Sequence, residues 1–268
     1  MWRRCVDHWP LLAVLLLFLL LSGTENVPTA GAAPQPAPAP SQLIVPVAGS
    51  YRLPVIQPGP RGMVLDSDGR DMPLERYTTG RVTLLSFMYT YCTDATACPA
   101  LFSTLNVLRE RLLNAPALAH RVRLVSMSFD PVNDTPEAMK NYGGALAQPS
   151  QSLRWHFLTS RSVERLQPIL DELGQSTSVQ LDKQGRPTRL YYHQVKLFLF
   201  DQRGRVREIY SPAFLQPELI YRDIQTLLLE ADTAQTHAAV PADRRHQLSA
   251  ARPSAGSSVK KPSMPVAM

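Results

Sequence analysis

Two cysteines lie on one short segment between a predicted strand and a predicted helix, and this placement restricts the fold more than any other feature. Five residues separate Cys92 from Cys98. The apolar run Val82–Met88 precedes them, and a helical pattern begins at Pro99. Because amide dipoles at a helix start favour a thiolate, which is both a nucleophile and a metal ligand, the segment is typical of redox chemistry or of a thiophilic metal site.

As a structural crosslink this cysteine pair would contribute little. Closing so short a loop removes about 2.4 kcal/mol of chain entropy, against more than about 4 kcal/mol for a long loop. The third cysteine, Cys5, precedes a long apolar run and is expected to leave with an export signal. The pair is therefore interpreted as functional.

The N-terminus has the parts of an export signal. Arg3 and Arg4 precede the eleven-residue apolar run Leu11–Leu21, and small residues at 30–32 form a candidate cleavage site. Because a bilayer span needs about 20 apolar residues, we expect residues 1–32 to be a cleaved signal peptide, with an uncleaved anchor as the alternative. The expected location is periplasmic, or membrane-anchored facing the periplasm; the mitochondrial intermembrane space is the less favoured option.

Composition divides the rest of the chain into three parts. Residues 33–48 form a linker rich in proline and alanine, residues 49–232 a folded domain, and residues 233–268 a basic tail predicted to be disordered. Much of the excess behind the net charge of +6 lies in that tail. Export and the lack of a predicted basic stripe on the domain argue against nucleic acid as a partner, and membrane contact is expected only if the N-terminal segment stays uncleaved.

Hydrophobic periodicity predicts an α/β domain. A turn within Met63–Leu74 indicates an N-terminal β-hairpin extension. Further strands and helices alternate after the cysteines: strands at Val122–Ser128, around Leu158, at Val195–Phe200 and at Val206–Tyr210, and helices from Pro99, over 134–142, over 163–173 and over 216–229. This order predicts a thioredoxin-like fold with a central mixed sheet flanked by helices.

His193 is the candidate third member of the site. It lies just before the predicted hairpin of residues 195–210, whose first strand is expected beside the strand that leads to the cysteines. The sites of open α/β sheets lie at the carboxyl ends of parallel strands, where Cys92 and Cys98 are also placed. Two thiolates and one imidazole form a Cys₂His donor set suited to Cu(I) or zinc.

The sequence resembles that of the SCO/SenC family, which comprises exported copper-handling proteins of cytochrome oxidase assembly. The resemblance covers roughly residues 50–230. It rests on these segments: Phe87-Met-Tyr-Thr-Tyr-Cys92, Asp94, Cys98-Pro99, Ser126-Met-Ser-Phe-Asp-Pro131, Asp134-Thr-Pro-Glu137, Trp155, Leu158-Thr159 and His193. The resemblance implies that Cys92, Cys98 and His193 bind copper, and that the partner is the apo form of a copper enzyme such as cytochrome oxidase.

Two features depart from the family pattern and suggest a divergent branch. The family commonly has three residues between the cysteines, where this chain has five. It also commonly carries an acidic residue just before the metal histidine, where this chain has Tyr192. A carboxylate there could orient the imidazole, so its replacement removes that support.

A thiol–disulfide oxidoreductase is the competing function, and the assignment of an enzyme activity stays open. Cys92 would attack a partner's disulfide, Cys98 would resolve the intermediate, and a thiol reductant would be a further partner. Either function predicts a Cys92–Cys98 disulfide in the oxidised protein. Such reductants usually carry a proline before the strand that faces their cysteines. Here His193 and Gln194 occupy that position, which favours metal binding, and a peroxiredoxin motif is absent around Cys92.

Four other residues are interpreted as structural. Asp94 is expected to be a turn residue that satisfies backbone amides, and Trp155 to belong to the core. Asp130 and Asp134 are predicted to serve as turn and helix-cap residues. They are not expected to act as a general acid/base pair.

Overall fold

The computed structural model describes residues 45–94, 96–148 and 152–239. Ten strands lie within them: β1 Gln57–Pro58, β2 Met63–Leu65, β3 Asp71–Pro73, β4 Val82–Met88, β5 Val122–Ser128, β6 Arg154–Leu158, β7 Thr177–Leu181, β8 Pro187–His193, β9 Leu197–Phe200 and β10 Arg205–Tyr210. The same ranges contain six α-helices: α1 Glu75–Thr78, α2 Cys98–Leu113, α3 Pro116–Ala119, α4 Pro136–Gly143, α5 Val163–Glu172 and α6 Pro217–Ala239. Short 3₁₀ turns follow α4 and β10.

Six strands form one mixed sheet in the order β1-β10-β9-β4-β5-β6. Strands β4, β5 and β6 are parallel, whereas β9 pairs antiparallel with β4. The register places Leu197 opposite Ser86, so β9 begins near the end of β4 that leads to the cysteines. This topology confirms the predicted α/β fold with a central mixed sheet, and β2 with β3 confirms the N-terminal hairpin.

The apolar pattern of the sequence explains the layers. Every side chain of β4 is buried, as expected for a central strand covered on both faces. Helix α2 buries the leucines that recur at three- and four-residue spacing along it, namely Leu101, Leu105, Leu108 and Leu112. The strand that precedes the cysteines and the helix that follows them are therefore both packed into the same hydrophobic core.

A second two-stranded sheet, formed by β7 and β8, was not predicted from the sequence. The strands pair antiparallel and place Thr177 opposite His193. Their connection turns at Gly185, whose φ of 76° lies in the left-handed region that glycine enters without steric cost. Asp182 stabilises this turn by accepting hydrogen bonds from the backbone N–H groups of Gln184 and Arg186.

The final helix differs from the prediction. Helix α6 continues to Ala239, so the first residues of the predicted disordered tail, 233–239, are helical. Their alanine- and threonine-containing sequence carries no apolar stripe to reveal the helix, and the side chains at 232–236 are exposed. Helix formation here extends an existing helix, which avoids the cost of a new nucleus.

Several predicted features lie outside the described residues: the signal peptide 1–32, Cys5, most of the linker 33–48, and residues 240–268. Across the part of the chain that the structure covers, no helix has both the length and the apolar character needed to cross a membrane.

Candidate metal centre

The parallel strands β4 and β5 end beside each other and carry the cysteine side of the site. Past the end of β4, Cys92 N–H donates to the carbonyl of Tyr89, which closes a turn. Cys98 is the first residue of α2 and is almost completely buried, whereas Cys92 is half-buried. The site therefore lies at the carboxyl end of the central strands, as predicted.

The longer cysteine loop is held by a local turn. Asp94 accepts hydrogen bonds from the backbone N–H and the hydroxyl of Thr96, at 2.9 and 2.7 Å. Its own carbonyl accepts from the N–H of Ala97 at 3.1 Å. These contacts confirm Asp94 as a turn residue and show how five intervening residues are accommodated.

Asp134 forms hydrogen bonds with the segment that leads to the cysteines, and this corrects its predicted role as a helix cap. It is 1% exposed and accepts hydrogen bonds from the hydroxyls of Thr90 and Ser128 and from the Thr90 N–H. The helix cap is Thr135, whose hydroxyl accepts from the N–H of Ala138. The sequence suggested Asp134 as the helix cap because aspartate is common at helix caps. The same side chain can also serve as a buried hydrogen-bond acceptor at the end of a strand.

His193 is the last residue of β8, and two contacts fix the chain just after it. The side-chain amide of Gln175 donates to the carbonyl of Gln194 at 2.7 Å. Lys196 Nζ donates to the carbonyl of Gly174 at 2.6 Å. Through these bonds the segment following α5 holds the connection between β8 and β9 over the cysteine loop.

The imidazole ring of His193 packs among aromatic side chains from three parts of the fold. Its centroid lies 5.9 Å from that of Tyr89 and 5.1 Å from that of Phe129, and Tyr191 contacts both of these rings. Nδ1 of His193 is buried and has no hydrogen-bond partner among the described residues. Tyr192, at the position of the missing acidic residue, is 66% exposed. Aromatic packing thus orients the ring where a carboxylate could have done so.

The three donors converge. Nε2 of His193 lies 4.0 Å from Sγ of Cys92 and 3.8 Å from Sγ of Cys98, and all three ligand atoms lie within 4.8 Å of one another. A sulfur and a nitrogen bound to one metal ion by bonds of about 2.3 and 2.0 Å are about 3.5–3.7 Å apart, so these side chains fit one metal ion with only small movements. The donor set suits Cu(I) or zinc.

The protonation states of the free site have clear physical causes. Burial, followed by the neighbouring Cys92 thiol, raises the pKa of Cys98 well above its ordinary value. Burial also lowers the pKa of His193. Without a cation the pocket therefore favours a neutral thiol and a neutral imidazole, and a bound metal ion would stabilise the thiolate that the pocket alone disfavours.

Both thiols are free in this structure. The predicted Cys92–Cys98 disulfide stays a prediction for the oxidised protein. The short separation of the two sulfurs is compatible with it, since they lie within 4.8 Å of each other.

The sequence singled out the three residues that the structure brings together, Cys92, Cys98 and His193, but not the residues that support them. Tyr89 and Phe129 follow the two parallel strands directly, so their position at the sheet end could have indicated them. Trp155 is buried as predicted and donates from Nε1 to the hydroxyl of Ser126. Gln175 had no local signal, because its partner carbonyl is brought near only by the unpredicted hairpin.

Comparison with known proteins agrees with this fold and site. The sequence profile of the SCO1/SenC family matches residues 63–229. The chain belongs to the SCO1/SenC family, which confirms the resemblance found in the sequence and its thioredoxin-like fold.

Individual relatives are distant. The SCO1 protein homolog of Bacillus subtilis (strain 168) is 29% identical over 168 residues, 63% of this chain and 79% of the relative. The solution structure of the apo Sco1 protein from Thermus thermophilus superposes with a TM-score of 0.52 at 26% identity, covering 69% of this chain and 99% of that one. The crystal structure of Arabidopsis thaliana ScoI with copper bound has a TM-score of 0.53 at 17% identity, covering 64% and 98%.

Proposed function

We propose that this protein is an exported copper-binding assembly protein. Cys92, Cys98 and His193 hold one copper ion, and the protein passes it to an exported metalloenzyme such as cytochrome oxidase. The convergence of two thiols and an imidazole Nε2 within 4.8 Å carries the proposal. Family membership and the copper reported in the Arabidopsis thaliana ScoI structure favour copper over zinc.

Transfer by ligand exchange fits the exposure of the site. Cys98 is buried, but Cys92 and His193 are half-buried, and His193 borders a cavity of about 510 Å³ that is open to solvent. A ligand of the target protein could replace the more accessible donors one at a time, so the copper would never be released as a free ion. Export is supported by Arg3, Arg4 and the apolar run that follows them.

Thiol–disulfide exchange is the second candidate function. The free thiols on one loop and the exposure of Cys92 support it. The raised pKa of the buried Cys98 argues against it as the main role, because a thiol that resists ionisation is a slow resolving nucleophile.

A transfer experiment tests the proposal. The reduced chain is loaded with one equivalent of Cu(I) under anaerobic conditions and mixed with a soluble apo copper domain of cytochrome oxidase. Copper should move to the domain, and prior oxidation of Cys92 and Cys98 to a disulfide should abolish loading, since both thiolate ligands disappear. If the reduced apo domain acquires no copper, whereas the metal-free reduced chain reduces the disulfide of the oxidised domain and forms its own Cys92–Cys98 disulfide, the oxidoreductase function replaces the proposed one.

A further inference from the structure

Arginines gather at the amino ends of the parallel strands, the end opposite the metal centre. Arg81 directly precedes β4, Arg123 is the second residue of β5, and Arg154 is the first residue of β6. The register pairs Thr83 with Arg123 and Arg123 with Arg154. Because paired residues, and residues two apart on a strand, share a face of the sheet, the three arginines lie on one face.

Helix α1 brings a fourth arginine to this face. Arg123 Nη1 donates to the backbone carbonyls of Arg76 and Thr79, at 3.0 and 3.2 Å, so its guanidinium is held beneath the end of α1. Among the described residues, no carboxylate forms an ion pair with Arg76, Arg81, Arg123 or Arg154. We call these four residues the arginine cluster.

Burial and the positive charge of the cluster together shift two pKa values. Burial and then the charges of Arg81 and Arg76 lower the pKa of Arg123 to about 10. Burial and then the charges of Arg123 and Arg154 lower the pKa of neighbouring His156 to about 4, so this ring is neutral at pH 7. Arg81 and Arg123 are half-buried and Arg76 and Arg154 are exposed, so a bound anion would neutralise positive charge that is partly removed from water.

A cavity of about 560 Å³ opens beside the cluster. Its walls include the carboxylates of Asp66 and Asp68 and the ring of His156, and its basic residues are Arg76, Arg154, Arg70 and Lys140. The last two are already paired with aspartates: Arg70 with Asp66 and Asp68, and Lys140 with Asp68. The uncommitted positive charge in the cavity therefore comes from Arg76 and Arg154, with Arg123 tied to the backbone beside Arg76.

We propose that the arginine cluster binds a phosphate or pyrophosphate group, either free in solution or carried on a lipid headgroup. Guanidinium groups match the bidentate geometry that phosphate oxygens accept, and the two that line the cavity, Arg76 and Arg154, form no ion pair with a described carboxylate. Seven residues of β4 separate this end of the sheet from the cysteine side, which corresponds to about 20 Å. The anion site is thus separate from the metal centre.

Isothermal titration of the complete, reduced, metal-free chain with pyrophosphate in about 0.1 M salt tests the proposal. The test variant is Arg76→Ala/Arg154→Ala, which removes two exposed side chains and leaves the core intact. Its matched control is Arg52→Ala/Arg203→Ala, which removes the same charge from two exposed arginines outside the cluster. A second arm measures cosedimentation with phosphatidylcholine vesicles containing roughly one-fifth phosphatidic acid, with pure phosphatidylcholine as the reference.

We expect saturable pyrophosphate binding that the test variant weakens by about tenfold or more and the control leaves within about twofold, as expected for the loss of charge-assisted contacts. Vesicle binding lost in the same variant identifies a lipid headgroup as the source, and pyrophosphate binding without vesicle binding identifies a free anion. Absence of saturable pyrophosphate binding, or equal weakening in both double variants, overturns the proposal.

Discussion

The two sides of the metal centre are built differently. The cysteine loop joins a fully buried strand to the long helix α2, and Asp134 ties its base to the next parallel strand. His193 comes from the small β7–β8 hairpin outside the main sheet. A few hydrogen bonds and aromatic contacts hold it in place. The core therefore positions the thiols, whereas local packing positions the imidazole. We expect substitutions to displace the imidazole of His193 more easily than the two thiols.

Removing the thiols should have the largest effect. In a Cys5→Ser background, we expect Cys92→Ser/Cys98→Ser to weaken Cu(I) binding by more than about a thousandfold, because thiolates are the ligands that select Cu(I). Competition with a chromophoric Cu(I) chelator measures the affinity. The Cys5→Ser parent is the control and should bind like the unmodified chain. Retention of tight binding by the double variant would exclude these cysteines as the ligands.

Asp134→Ala should cause the largest loss of stability. Two hydroxyls and one backbone N–H would lose their buried acceptor, which should lower the free energy of unfolding by about 3 kcal/mol. Urea unfolding monitored by circular dichroism measures it. Asp134→Asn, which keeps one acceptor oxygen, should lose less. Equal stability of the Ala variant and wild type would show that the core does not depend on this support.

Gln175→Ala tests the histidine side. The backbone carbonyl of Gln194 would lose its buried donor, which should lower the free energy of unfolding by about 1 kcal/mol. We expect Cu(I) affinity to fall several-fold, since His193 lies next to that peptide. Gln194→Ala is the matched control, because it removes an exposed side chain and keeps the carbonyl. If both variants bind copper like wild type, the hairpin does not need this bond to place the imidazole.

Trimming the ends should have the smallest effect. The side chains at 232–236 are exposed, so a chain of residues 49–232 should melt within a few degrees of a chain of residues 49–239. Loss of residues 233–239 shortens α6, and the side chains lost at 233–236 are exposed. A large fall in melting temperature, measured by calorimetry, would show that residues 233–239 pack against the domain.

The main sheet could be predicted from the sequence, and the reason is its burial. Apolar runs and helical leucine spacing indicate β4, β5 and α2 because both faces of these strands and one face of this helix are in the core. The hairpin of β7 and β8 has mostly exposed or half-exposed side chains, so it gives little hydrophobic pattern. The signal that could have predicted this hairpin is the alternation of residue types on either side of the turn at Asp182–Gly185.

The candidate site shows the same division. Cysteine spacing and strand–helix placement indicated both thiols, and the position before β9 indicated His193. The aromatic contacts and the role of Asp134 depend on which strand ends become neighbours, which only the folded sheet defines. The arginine cluster was missed for a related reason: its members are far apart in the chain and share one face only after β4, β5 and β6 align.

Anaerobic Cu(I) titration of the Cys5→Ser chain and of its His193→Ala derivative tests the central claim most directly. The three-donor site predicts one copper per chain in the parent, and at least about tenfold weaker binding in the derivative, since one of three ligands is lost. The Cu(II) form of the derivative should also show an altered thiolate absorption, while its disulfide still forms on oxidation. Equal affinity and identical spectra in both proteins would contradict the site and favour thiol–disulfide exchange by Cys92 and Cys98.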